Sequence, residues 1–179
     1  PYSAPRIKQP TETVSDTRVI TLGGTEIDVL FLGRAHTGGD LEVYLPREQI
    51  LFMSEVFSNR IFPSMANGYP KEWVEALKKA ELMEVAYFVP AHGFVDSALV
   101  MREEERNYRL ALERIIAEGT RLQGAGTSIE NATAGARFQP YAGWTRPANT
   151  APAAHQRGYT EPPGPLQQPP PTPPDTFTP

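Results

Sequence analysis

Residues 32–57 read LGRAHTGGDLEVYLPREQILFMSEVF, and the way this stretch divides decides the fold. Leu41 to Leu45 and Ile50 to Ser54 are short apolar runs. Pro46-Arg47-Glu48-Gln49 separates them with turn chemistry, so the pair reads as a β-hairpin. Upstream, Arg18 to Leu22 and Glu26 to Leu32 are β-branched runs joined by Gly23-Gly24, the signature of a tight hairpin turn. Four strands are therefore expected by residue 54, mostly antiparallel.

Downstream the period changes. Trp73, Leu77 and Ala80 recur at helical spacing behind Pro70, which suits a first helical turn, while Lys78 and Lys79 fall on the opposite face. Val85 to Val89 reads as a fifth strand cut off by Pro90, and helix-then-strand order predicts a crossover return to the same sheet. A long helix is expected from Ala98 to Gln123, with Glu103, Glu104 and Glu105 early and Arg114 and Arg121 late, the order the helix dipole favours. Thr127-Ser128-Ile129-Glu130 has capping-box spacing and predicts a short helix to Ala134. The whole is an α/β chain with a mixed, mostly antiparallel sheet and helices on one face.

Composition sets the limits of the domain. Apolar residues make up 40% of the 179, enough for a packed core, but the 19 prolines crowd the far end, densest from Pro162 to Pro174. Residues 142–179 are expected to be an extended or disordered tail. Residues 1–17 read as a polar, linker-like stretch, which leaves 18–141 as the folded part. The start at Pro1, inside such a stretch, points to a piece of a longer protein. A net charge of −4 with scattered basic residues gives no footprint for nucleic acid. No apolar run reaches the roughly eighteen residues of a membrane span, and a soluble chain is expected. There are no cysteines, so a transition metal would have to be held by His and carboxylates.

Candidate chemistry gathers where strands run out into loops. His36 follows the second strand, Glu55 closes the fourth, and His92 stands in residues 89–93, VPAHG, directly after the fifth. If those strand ends share one edge of the sheet, two imidazoles and a carboxylate converge, a donor set suited to zinc, iron or manganese. Glu55, at the end of an apolar strand, needs a partner: an arginine such as Arg34 or Arg60, or a metal. Asp40 could orient a ligand histidine from behind, or could serve the turn after Gly38-Gly39. Asn59-Arg60 is a candidate pocket lining. Tyr69, Tyr87, Trp73 and Phe88 have core spacing, and His155 reads as a tail residue.

Taken together, the 32–57 stretch and VPAHG resemble the metallo-β-lactamase superfamily, over roughly Arg18 to Tyr141. There a His after a strand opens a Thr-Gly or Thr-Gly-Gly turn, the next hairpin ends in a metal-bridging Asp, and a last His lies in a Pro-Gly-His-Gly-like turn. The resemblance implies half of an αββα sandwich, its C-terminal half, with His36, Glu55 and His92 as metal ligands. It further implies a metal-dependent hydrolase of ester, thioester, lactam or lactone substrates, with one or two metal ions, zinc first and iron or manganese next, supplying bound hydroxide as the nucleophile. Two departures matter. Glu55 stands where the family usually has Asp, and the HxHxDH motif that supplies most of the ligands is absent. The expected partners are therefore a small-molecule substrate and the missing N-terminal half or a complementary chain, with self-association of the half-fold also weighed. The isolated chain is expected to be inactive. The alternative is a non-catalytic binding or scaffold protein derived from the fold.

Overall fold

The structure, a computed structural model, describes residues 10–134, 141–145 and 156–160. Strand β1 (Thr17–Leu22) and strand β2 (Thr25–Leu30) form the first hairpin. Its turn residues Gly23 and Gly24 take φ of 60° and 83°, the double positive φ that a two-residue hairpin requires and glycine supplies without strain. Strand β3 (Glu42–Leu45) and strand β4 (Ile50–Phe52) form the second hairpin. Helix α1 (Pro70–Glu81) then crosses over and returns the chain as strand β5 (Tyr87–Val89), parallel to β4. Helices α2 (Ala98–Gly124) and α3 (Ile129–Ala134) follow. The sheet order is β1-β2-β3-β4-β5.

Cross-strand register sorts the side chains into two faces, because residues directly opposite point the same way. Leu30 opposes Glu42, Tyr44 opposes Leu51, and Leu51 opposes Phe88. This face lies under α1 and α2, and Leu51 and Phe88 are fully buried there with Trp73, Leu77, Met101 and Leu112. Burying each such side chain contributes about 1.5–3 kcal/mol. The opposite face pairs Ile20 with Ile27, Val29 with Val43, Val43 with Phe52, and Ile50 with Tyr87. Among the described residues no helix lies against it: Phe52 and Tyr87 remain 41% and 40% exposed. Tyr87, expected in the core, is thus on the bare face, because a period of two lets only Phe88 of that strand point at the helices.

Several boundaries differ from the sequence expectation: β2 ends at Leu30 rather than Leu32 and β5 begins at Tyr87 rather than Val85, and three further differences have a local cause. Strand β4 stops at Phe52 rather than Ser54, because Ser54 takes φ of 48° and opens a 3₁₀ turn, Ser54–Val56. The short helix α3 is capped by Ser128, whose Oγ accepts the Asn131 N–H at 3.3 Å, one residue later than the capping box anticipated. Residues 156–160, expected in the extended tail, are helical. They are tied down by Tyr159 Oη donating to the Thr127 carbonyl at 2.6 Å and Arg157 Nε to that of Gly68 at 2.8 Å. The proline run and His155 lie outside the described residues, as do residues 1–9. Among the described residues no helix is long and apolar enough to cross a membrane.

Candidate metal centre

Strands β2, β4 and β5 run in one direction, since β3 is antiparallel to both β2 and β4 while β5 is parallel to β4. Their C-terminal ends therefore share one edge of the sheet, and His36, Glu55 and His92 all follow that edge.

Glu55 lies in the 3₁₀ turn after β4, and His92 in the loop after β5. Glu55 Oε1 is 2.7 Å from His92 Nε2. The partner that the carboxylate needs is thus an imidazole. The two arginines weighed for it are engaged elsewhere: Arg34 binds Glu72 and stacks over Tyr69, while Arg60 binds Glu104 through Nε at 2.9 Å. Both members of the Glu55–His92 pair are substantially exposed, at 41% and 58% of the side chain, so the pair adds little to stability. Its value lies in placement.

The turn that carries Glu55 is fixed from below. Trp73, fully buried on α1, donates its indole N–H to the Val56 carbonyl at 2.8 Å. Tyr108 of α2 packs edge-on against Phe57 at 5.6 Å. Burial pushes the Tyr108 hydroxyl pKa up, and the nearby negative charge of Glu55 pushes it further the same way, so the phenol stays neutral.

The His92 loop is pinned along its backbone. Ala91 N–H donates to the Phe57 carbonyl and Asn59 N–H to that of His92, each at 2.9 Å. Asn59 Nδ2 donates to the Phe94 carbonyl, also at 2.9 Å. Asn59, a candidate pocket residue, is instead buried and holds this loop from inside. Gly93 takes φ of 93°, and a Cβ on it would lie 2.4 Å from the Asn59 carbonyl oxygen. Only glycine fits.

His36 is oriented separately. Its Nδ1 is 2.9 Å from the Ser64 carbonyl. A backbone carbonyl can only accept, so Nδ1 carries the proton; in the neutral ring the lone pair is then on Nε2, the state of a ligating imidazole. The ring meets Trp73 edge to face at 5.8 Å. Asp40 Oδ2 accepts the Thr37 N–H at 2.7 Å and closes the His36 loop, the turn role weighed for it. The sequence reading missed Ser64 and the double contact of Trp73. Ser64 acts through its main chain and leaves no signal in residue type, while Trp73 was visible only as a core residue.

The donor types suit a transition metal; their number does not. A structural or catalytic zinc takes at least three protein ligands. Among the described residues no three His, Asp or Glu side chains come together closely enough to hold an ion. Glu55 and His92 are joined directly, and His36 stands apart from them. A separate cavity of about 700 Å³, between Glu81 at the end of α1 and the first three turns of α2, is lined by Arg102, Glu105 and Arg106 among others and borders none of the three.

No protein family and no curated protein sequence matches the chain. Solved structures do. A double mutant of the sec-alkyl sulfatase PisA1 superposes with a TM-score of 0.66 at 15% identity, over 84% of this chain and 26% of that one. The stereoselective inverting sec-alkylsulfatase Pisa1 from Pseudomonas sp. gives 0.63 at 15% identity, over 82% and 25%. A metallo-β-lactamase from Pontibacter korlensis gives 0.50 at 22% identity, over 57% and 50%. The chain thus spans about half the length of the lactamase and a quarter of the sulfatases. The likeness establishes the fold: a five-stranded mixed sheet with helices, corresponding to part of the metallo-β-lactamase fold.

Proposed function

We propose that this chain is the part of a metallo-β-lactamase-fold hydrolase that contributes His36, Glu55 and His92 to a metal centre, and that donors outside the described residues complete it. The observation that carries the reading is the meeting of Glu55 and His92 at 2.7 Å across the ends of two adjacent parallel strands. The preset tautomer of His36 on the same sheet edge supports it. Each residue has a distinct task. Ser64 holds the His36 lone pair outward, the Ser54–Val56 turn presents Glu55 to solvent, and the Phe57–Asn59 backbone holds His92 against it.

The substrate class is an ester, thioester, lactam or lactone. The similar structures, named as a lactamase and as alkyl sulfatases, differ in the bond they act on, so a sulfate ester joins that range. Because two donors in contact do not make a metal site, this chain alone is inactive.

Zinc titration by calorimetry, run beside an assay of chromogenic ester, lactam and aryl sulfate, tests the proposal. The expected result is zinc binding by the chain weaker than micromolar, further weakened in His92→Ala and Glu55→Gln, with no turnover. Chelator-sensitive turnover by the chain alone would overturn the claim of incompleteness. Zinc affinity indifferent to His36→Ala, Glu55→Gln and His92→Ala would overturn the ligand assignment and favour the scaffold alternative.

A further inference from the structure

Residues 57–69 join the Ser54–Val56 turn to α1 and hold both candidate histidines. At one end, Asn59 N–H donates to the His92 carbonyl at 2.9 Å. At the other, the Ser64 carbonyl fixes His36 Nδ1 at 2.9 Å, and Tyr69 N–H donates at 2.8 Å to the carbonyl of Ala35, the residue before His36. Gly68 N–H donates to the Met65 carbonyl at 3.0 Å and ties that end together. The loop contains no strand or helix, so its remaining main-chain groups need partners from elsewhere.

Those partners come from late in the chain. Thr145 N–H donates to the Arg60 carbonyl at 2.9 Å, and the Thr145 carbonyl accepts the Phe62 N–H at 2.8 Å. The two bonds flank the left-handed backbone of Arg60, whose φ is 54°, a conformation that a non-glycine residue keeps only where its surroundings fix it. Arg157 Nε donates to the Gly68 carbonyl at 2.8 Å. Both late segments rest on α2. Trp144 stacks on Tyr108 with ring centres 6.0 Å apart and planes within 9° of parallel. A Cβ on Gly119 would lie 2.5 Å from the Gly158 carbonyl oxygen, so the two backbones touch through glycine.

We infer that residues 141–145 and 156–160 are a two-point brace that sets the placement of His36 relative to His92, with Thr145 and Arg157 as positioning residues. Thr145 grips the loop beside Asn59, and Arg157 grips it beside Tyr69. The stretch between the two histidine contacts is thus fixed at both ends. That the brace serves a metal centre rests on the function proposed above; that it holds the two histidines does not.

Native-state amide hydrogen exchange on the 179-residue chain, with nitrogen-15 spectra of the imidazoles at a pH where the rings are neutral, tests the inference. Gly119→Ala raises the helix propensity of α2, removes the room that Gly158 occupies, and touches nothing in the 57–69 loop. It and Arg157→Ala should each speed exchange at Tyr69 by about tenfold, the weight of one hydrogen bond. The His36 proton should then spread over both ring nitrogens. Arg157→Lys should restore part of the protection. Thr145→Pro removes the donation to Arg60 and should loosen Asn59 and the His92 loop instead. The amides of β1, β2 and Leu112 should stay as they are throughout. If Gly119→Ala or Thr145→Pro fails to fold, the two Arg157 variants decide. Unchanged exchange and ring signals would overturn the inference, and so would a loss of protection shared equally by β1 and β2, which is general destabilisation. Zinc titration of Arg157→Ala separates the two claims. A freed His36 ring with unaltered zinc affinity sinks the ligand assignment and leaves the brace standing; a ring still held by Ser64 sinks the brace.

Discussion

Trp73 stands edge-on to His36, 5.8 Å between ring centres, while its indole nitrogen donates to the carbonyl of Val56, the residue after Glu55. One buried side chain of α1 thus touches both loops that carry candidate ligands. Replacing it by phenylalanine keeps most of the volume but strands a buried carbonyl, at a cost of about 1–3 kcal/mol. Trp73→Phe is therefore expected to lower the urea midpoint measurably without unfolding the chain at room temperature. The nuclear magnetic resonance signals of both His36 and Glu55 should shift.

Gly93→Ala is expected to be more severe than its size suggests. A positive φ costs a non-glycine residue about 1–2 kcal/mol, and the 2.4 Å approach to the Asn59 carbonyl adds an overpacking cost of about 1–3 kcal/mol. Chemical denaturation should register the sum. Loss of the Glu55–His92 contact should be visible in the histidine ring signals even where the fold survives.

His92→Ala, by contrast, is expected to leave stability within about 1 kcal/mol of wild type, because an exposed His–carboxylate contact contributes little. A larger loss in thermal denaturation would mean that the pair is structural rather than a displayed donor set.

Stability should fall as the solution is made alkaline. Burial pushes the Glu42 carboxyl up to about 8 and that of Glu105 up to about 9, the latter helped by the charge of Glu81 and opposed by that of Arg109. Between the ordinary carboxylate range and those values the folded chain holds protons that the unfolded chain has released. Each group then lowers unfolding free energy by up to about 1.4 kcal/mol per pH unit. Urea midpoints compared at about pH 5 and about pH 8.5 should differ in that sense. Glu42→Gln and Glu105→Gln should each flatten the dependence.

Much of this geometry was legible in the residues. Gly23-Gly24 and Pro46 to Gln49 announced two hairpins, Pro70 with Trp73 and Leu77 announced the crossover helix, and the placement of His36, Glu55 and His92 after strands left a shared edge open as a condition that the strand directions meet. Other parts were closed to a sequence reading for definite reasons. The left-handed Ser54 that cuts β4 short is set by tertiary packing, since serine has no strong preference for that conformation. The Ser64 carbonyl and the Asn59 main chain act through groups that every residue carries. Apolar spacing marked Tyr87 and Phe88 alike as core, because it cannot say on which face of a sheet the helices settle.

The strand order β1-β2-β3-β4-β5 bears on how fast the chain can assemble. Each strand pairs with its predecessor, so no strand must wait to be inserted between two others. The β1–β2 and β3–β4 pairings close over short turns, which form on the microsecond scale in isolated hairpins, while β2 and β3 pair across residues 31–41, the loop that carries His36. The late event is the docking of β5 through α1, the one pairing that spans a helix and the one that brings His92 to Glu55. The candidate centre would then form in the last step, and mutations in α1 should slow its appearance while leaving the two hairpins untouched.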